Sequence, residues 1–268
     1  MCLNYVPPPE LTAARLVSLV KPGKSDKPDG VRPIAIGESL TRLLSSLIFN
    51  RISTKARDYL NPFQFGIKTI EGASVASMTS DIFSNSRHQY SFNLDFKNDF
   101  NLVQRNCIYD VLLQEFPELS AYFYLFYGKK SDLIFDTFTL VLLVSNKVIL
   151  LVYCFFKEFP ELRIVAYMDD ISIIGSYESI CRVSKNIAAK YKDIGLALNP
   201  AKCLLTGRTK QSLLIDDVQI SFINYEQQAF KFLGCWLGNL DEIYSQLNNL
   251  LKNTSNFLKI SFSFSFLF

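Results

Sequence analysis

An α+β fold is expected for this 268-residue chain on three observations. Helical and antiparallel-hairpin patterns are interleaved, without the strict βαβ rhythm of a doubly wound sheet. No glycine-rich dinucleotide loop is present. Hydrophobic residues make up 49 % of the chain, enough to bury a sizeable core and too many for a disordered tail.

The elements follow in order. Pro7-Pro8-Pro9 is a stiff entry that cannot be helical. Leu16 to Val20 and Val31 to Ile36 are apolar strands joined by the polar loop Lys21 to Gly30, which makes a hairpin. From Glu38 to Leu60, Leu40, Leu43, Leu44, Leu47, Ile48 and Ile52 recur at three and four, an amphipathic helix that Asn61-Pro62 ends. Glu71 to Phe83 is a second helix, Gln89 to Phe96 a strand, and Val103 to Phe116 a third helix. Arg163–Ala166 and Ile171–Ile174 flank Tyr167-Met168-Asp169-Asp170, a hairpin with an acidic tip. Glu178 to Ile194 is a helix closed by Gly195. Cys203 to Leu205, Leu213 to Phe222 and Ala229 to Leu233 read as strands, and Asp241 to Leu258 as a last helix. The terminal Ser-Phe repeat is low-complexity and is assigned to no packed element.

Composition narrows the function. The formal charge is +3, yet residues 1–60 hold nine Lys or Arg against five Asp or Glu. This basic lobe either meets phosphates or is an ordinary solvated surface. The six cysteines include no C-x-x-C pair, and His88 is the one histidine, which argues against a zinc site. His88 stands in a turn-like run, Ser84 to Gln89, which disfavours a Ser-His-Asp triad. Scattered thiols and no cleavable signal peptide point to an intracellular compartment, cytoplasm or nucleus. Phe138 to Phe156 is nineteen mostly apolar residues. It imitates a membrane span, but Lys147 at its centre costs about 3 kcal/mol on insertion, and no membrane partner is expected.

Two elements can bring carboxylates together. Asp95 ends a strand, and Asp169-Asp170 sits at a hairpin turn. If those strands are neighbours, three acidic groups converge. Hard divalent cations take oxygen ligands of this kind, and a pair of such cations about 3.5–4 Å apart is what phosphoryl transfer to a nucleic acid strand requires. Singly, each feature is ordinary: Asp is common at strand ends and in turns.

The surrounding blocks carry a resemblance. Tyr167-Met168-Asp169-Asp170 is similar to the signature turn of reverse transcriptases. Leu94-Asp95-Phe96-Lys97-Asn98-Asp99-Phe100-Asn101 resembles their first catalytic block. Leu19-Val20-Lys21-Pro22, Val31-Arg32-Pro33-Ile34-Ala35-Ile36-Gly37-Glu38 and Pro62-Phe63-Gln64-Phe65-Gly66 resemble fingers segments of the non-LTR retrotransposon branch. Gly195-Leu196-Ala197-Leu198-Asn199-Pro200-Ala201-Lys202 is similar to the block after the catalytic turn, and Phe232-Leu233-Gly234 to the primer-grip turn. Over about residues 11–240 these stand in the family's order.

The resemblance implies a right-hand polymerase: fingers at 1–90, palm at 91–228, and primer grip with a truncated thumb at 229–268. It implies RNA-directed DNA synthesis from deoxynucleoside triphosphates on an RNA template and DNA primer, with two Mg²⁺ ions or Mn²⁺ in their place. Asp95, Asp169 and Asp170 would bind the metals. Lys202 would steady or protonate pyrophosphate. Lys21, Arg32, Phe96, Tyr167 and Met168 would line the nucleotide site, with Phe100 as the gate against a ribose 2′-hydroxyl. Gln64, Gly66, Leu233 and Gly234 would lie along template and primer. Further domains of a polyprotein are expected as partners. RNA-templated RNA synthesis, a non-catalytic nucleic-acid-binding remnant, and a membrane protein spanning at 138–156 are the alternatives.

Two departures stand out. Asp99 occupies a position where the family has a small Ala, adding a fourth carboxylate beside the triphosphate. The family's Gly-Gln-Gly-Asp-Pro-like block is absent, and Val144 to Phe155 takes its place. Codons permitted for this run, read one frame over, spell Gly-Val-Gln-Gln-Gly-Asp-Pro-Leu-Gly-Leu-Leu-Phe. The expectation is therefore a decayed or mis-spliced element, frame-shifted over 138–156 and weak or inactive. Sequencing the encoding DNA checks this: a neighbouring frame that spells the missing block is the expected outcome, and its absence ends the idea.

Overall fold

The structure is a computed structural model that describes residues 7–20, 30–84, 89–97, 104–128, 132–135, 138–141, 159–193 and 196–265. In chain order its elements begin with α1 (Pro9–Thr12), β1 (Ala14–Val20), β2 (Val31–Gly37), α2 (Ser39–Leu60), α3 (Gly72–Ser84) and β3 (Tyr90–Leu94). Then come α4 (Arg105–Glu115), α5 (Pro117–Tyr127), β4 (Asp132–Phe135), β5 (Phe138–Val141), β6 (Arg163–Tyr167), β7 (Asp170–Gly175) and α6 (Tyr177–Asp193). The last are β8 (Leu204–Gly207), β9 (Leu214–Ile215), β10 (Val218–Gln219), β11 (Ser221–Asn224), β12 (Ala229–Phe232), β13 (Cys235–Gly238) and α7 (Leu240–Ser265). The chain divides into two compact units.

The first unit comprises residues 1–68, 96–159 and 187–198. Its sheet has the order β2-β1-β4-β5. β1 and β2 pair antiparallel from Ala14↔Gly37 to Val20↔Val31, the hairpin expected from the sequence. The proline entry differs from expectation: Pro9 begins a short helix, because the first helical position has no use for an N–H. The amphipathic reading of α2 also needs correction. Leu40, Leu43 and Leu47 are all more than half exposed, while its buried residues are Ser53, Ala56 and Leu60. α2 is held instead through its other side. Ser45 Oγ and Tyr122 Oη share a hydrogen bond of 2.5 Å, Lys55 pairs with Glu118 at 2.8 Å, and Tyr59 meets Phe116 edge-on. α5 was not legible in the sequence, since aromatic residues fill it without a clear apolar stripe. Its rings stack along the helix pair, Tyr109 on Phe123 and Phe123 on Tyr127. β5 takes the first four residues of the run that imitates a membrane span, paired with β4. Residues 142–158, which hold the rest of the expected frame-shifted segment, lie outside the described residues.

The second unit comprises residues 69–95, 160–186 and 199–268. Its main sheet has the order β11-β8-β3-β7-β6, parallel between β11 and β8 and antiparallel elsewhere. Alternation along the strands defines two faces. Phe92, Leu94, Ile164, Ala166, Ile171, Ile173 and Leu205 form the apolar face, all under a tenth exposed. Fully burying a side chain such as Phe92 contributes about 1.5–3 kcal/mol. The opposite face carries Ser91 and Ser172, also buried, whose hydroxyls bond at 2.6 Å. A sheet covered on both sides uses this polar pairing to satisfy groups that water cannot reach.

α3 packs against β6, β7 and β13. Ser77 Oγ donates to Phe232 O at 3.3 Å, and Tyr225 Oη donates to Asp81 Oδ1. Ser176 caps α6 by accepting the Ser179 N–H at 3.2 Å, and Asn239 caps α7 by accepting the Glu242 N–H at 3.0 Å. The expected single strand Leu213 to Phe222 is broken into β9, β10 and β11. Asp216 and Asp217, at φ 47° and 60°, make a tight turn with both residues left-handed. α7 continues into the Ser-Phe repeat, contrary to expectation, because no Gly or Pro stops it. Among the described residues no helix is long and apolar enough to cross a membrane.

Gly207 marks a packing limit in this unit. A Cβ there would lie 2.4 Å and 2.5 Å from Tyr90 ring carbons, and that ring is backed by Tyr177 at 5.6 Å. Gly207→Ala is expected to destabilise by about 1–3 kcal/mol in denaturant unfolding. Combined with Tyr90→Ala, the loss should be clearly less than additive.

Candidate active site

The acidic site is built on the β3–β7 pairing of the second unit. The register runs from Tyr90↔Gly175 to Leu94↔Ile171. Asp95 follows the last paired residue of β3 and Asp170 precedes Ile171, so the two acids flank the end of this ladder. Across the hairpin Tyr167 pairs with Asp170, leaving Met168 and Asp169 as the two loop residues. Met168 has φ 52°, a left-handed conformation that costs an ordinary side chain about 1–2 kcal/mol. Paired strands on both sides hold the turn in that state.

The electrostatics follow from the crowding. Partial loss of hydration at its base raises the Asp170 carboxyl above the ordinary carboxylate range, and the charges of Asp169 and Asp95 raise it further. Its outer surface stays exposed. Asp95 is supported from residues 199–203. Asn199 N donates to Asp95 O at 2.8 Å and Asn199 Nδ2 to Asp95 Oδ1 at 3.1 Å. Lys202 Nζ lies 3.6 Å from the same Oδ1. Asp95 N donates to Cys203 Sγ at 3.4 Å. Burial pushes the Cys203 thiol up to about 11, so it stays protonated at neutral pH.

Three carboxylates are the oxygen donors a hard divalent cation takes, so the chemistry of the set fits such an ion. The arrangement is not a finished cage: among the described residues no three His, Cys, Asp or Glu are close enough together to hold one. Asp95 instead engages an amide and an ammonium.

The other sequence-derived residues fall as follows. Leu233 and Gly234, at φ 50° and 84°, form the turn between β12 and β13 in the second unit. Phe96 is buried in the first unit, bridging Leu198. Gln64 is also buried there, and its Oε1 accepts the Gly66 N–H at 2.8 Å. Arg32 stands in β2 opposite Leu19. Lys21, Asp99 and Phe100 lie outside the described residues. Asn199 and Cys203 are the residues that sequence reasoning missed. Asn199 stands in the block after the acidic turn, where the resemblance gives it no role, and nothing local marks Cys203.

The reverse transcriptase (RNA-dependent DNA polymerase) family model matches residues 21–237. A sequence search of curated proteins gave no match. Among solved structures, apo telomerase from Candida tropicalis aligns with a TM-score of 0.52 at 10 % identity, over 79 % of this chain and 47 % of that one. A form of that telomerase truncated from its C-terminal domain aligns with a TM-score of 0.49 at 11 % identity, over 81 % and 54 %. The chain spans about half the length of these structures. The mixed helices and central sheet are those of a right-hand polymerase fold. On a match covering most of its length, the chain belongs to the reverse transcriptase family.

Proposed function

We propose that this chain is the polymerase domain of a retrotransposon of the non-LTR branch, built for RNA-directed DNA synthesis and weak or inactive in its present form. The observation that carries the reading is the end of the β3–β7 ladder, flanked by Asp95 and Asp170, with Asp169 in the adjoining turn and all three close enough to interact by charge. In this reading 1–90 serve as fingers, 91–228 as palm, and 229–268 as primer grip and the start of a thumb. Residues 69–90 then contribute α3, which packs beneath the palm sheet.

Asp95, Asp169 and Asp170 would hold two Mg²⁺ ions, or Mn²⁺. Bound there, the cations would favour the primer 3′-alkoxide and neutralise charge on the triphosphate. The 3′-oxygen bonds to the α-phosphorus, and the α–β bridging bond breaks. The hydroxyl proton leaves to solvent, and Lys202 steadies or protonates the departing pyrophosphate. Phe100 would gate against ribose, and Lys21 and Arg32 would grip the triphosphate. Phe96, Tyr167 and Met168 would shape the nucleotide pocket. Gln64, Gly66, Leu233 and Gly234 would follow template and primer. The compartment is intracellular, in keeping with the free thiols Cys107, Cys181, Cys203 and Cys235. Other domains of a polyprotein would act beside it.

A second reading is favoured by the lack of a three-ligand cage among the described residues: a remnant that binds nucleic acid without catalysis. Primer extension by the full chain on an RNA template separates the two. Weak Mg²⁺-dependent incorporation of deoxynucleotides is expected, and Asp169→Ala should remove it, a loss of about a thousandfold or to background. Salt-dependent binding with no extension supports the remnant. Robust extension overturns the inference of decay. A thermal melt gives a further check. Asp170→Asn removes a carboxylate crowded by two others, so Tm should rise slightly while extension is lost.

A further inference from the structure

Asp95 is held from one side of its backbone and by one carboxylate oxygen. Its N–H goes to Cys203 Sγ at 3.4 Å, and its carbonyl accepts the Asn199 N–H at 2.8 Å. The turn that supplies these groups is braced internally: Lys202 N and Cys203 N both donate to Asn199 O, at 2.9 Å and 3.1 Å. The carboxylate is then approached by two donors at Oδ1, Asn199 Nδ2 at 3.1 Å and Lys202 Nζ at 3.6 Å. Among the described residues, the side-chain hydrogen bond to this carboxylate falls on Oδ1 and not on Oδ2.

The two donors differ in kind. Lys202 is well exposed, and its charge competes with any cation that Asp95 would take. The Asn199 amide is neutral and shorter in reach, on a turn already bonded to the Asp95 backbone. It can keep its hydrogen bond while a cation occupies the other oxygen. Donors of this sort fix the orientation of a ligand without displacing the ion.

We propose that Asn199 is a positioning residue for Asp95, holding Oδ1 so that Oδ2 is presented to a divalent cation, with Cys203 fixing the backbone behind it. The proposal rests on the polymerase reading of the acidic site. Asn199 touches neither substrate nor reacting atoms; it acts through Asp95.

Terbium(III) luminescence titration of the full chain tests this without requiring turnover, with Tm measured in parallel. Asn199→Ala is expected to weaken terbium binding by about tenfold or more, within the range for losing a partner that orients a metal ligand, and to leave Tm near the wild-type value. Asn199→Asp, which sets a second carboxylate against Oδ1, should disturb binding at least as much. Wild-type affinity in a folded Asn199→Ala chain, with binding abolished by Asp169→Ala, overturns the positioning role and leaves the acidic site standing. Equal binding by wild type and Asp169→Ala overturns both. Should Asn199→Ala unfold, the isosteric Asn199→Asp decides, and wild-type affinity in that folded variant overturns the proposal.

Discussion

Like charges held side by side are what the second unit is organised around. Antiparallel pairing of β3 and β7 brings Asp95 and Asp170 to one end of the ladder, and the tight turn adds Asp169 beside them. Left alone, such a cluster pushes its strands apart, and that repulsion adds to the effect of burial in raising the Asp170 carboxyl. The sheet withstands it because the same two strands bury Phe92, Leu94, Ile171 and Ile173 on the other face. Apolar burial on one side thus carries an electrostatic load on the other. The amide and ammonium at Asp95 Oδ1 relieve part of it directly.

The two faces divide the labour between folding and chemistry. Period-two alternation means that every residue in β3 serves one or the other. Tyr90, Phe92 and Leu94 point to the apolar core. Ser91, Asn93 and then Asp95 form a row that grows more polar toward the strand end. Ser91 and Ser172 satisfy each other inside the covered region. Asp95 and Asp170 lie where the cover stops. The position of the acidic cluster is therefore set by where the buried hydroxyl pair ends, as much as by the acids themselves.

Much of this was legible in the sequence, for local reasons. The 163–175 hairpin announced itself through two apolar runs around an acidic tip, and β1–β2 through a polar loop between two strands. Asp95, Asp169 and Asp170 were singled out because a strand end and a hairpin turn can bring carboxylates together and because the blocks around them resemble those of reverse transcriptases. What stayed hidden depended on distance along the chain. The amide of Asn199 reaches a carboxylate 104 residues away, and no local pattern encodes that. α5 was missed because its aromatic residues pack along a helix pair without an apolar stripe. The face of α2 was misjudged for the converse reason. A regular leucine period marks a helix, but it does not dictate which side its neighbours cover.

The ladder end flanked by Asp95 and Asp170 also says which kinds of inheritance this protein can survive. Replacing one core residue with another of similar bulk leaves the phase of the strands intact, so sequences can drift to a tenth identity while the polymerase architecture persists. Losing or gaining a single codon within Tyr90–Asp95 or Asp170–Gly175 is different. It would swing one carboxylate through the sheet to the opposite face and bury it among isoleucines. Length within these two strands is thus far less negotiable than identity, whereas loops outside the ladder can shed or acquire residues without turning the acids away from each other.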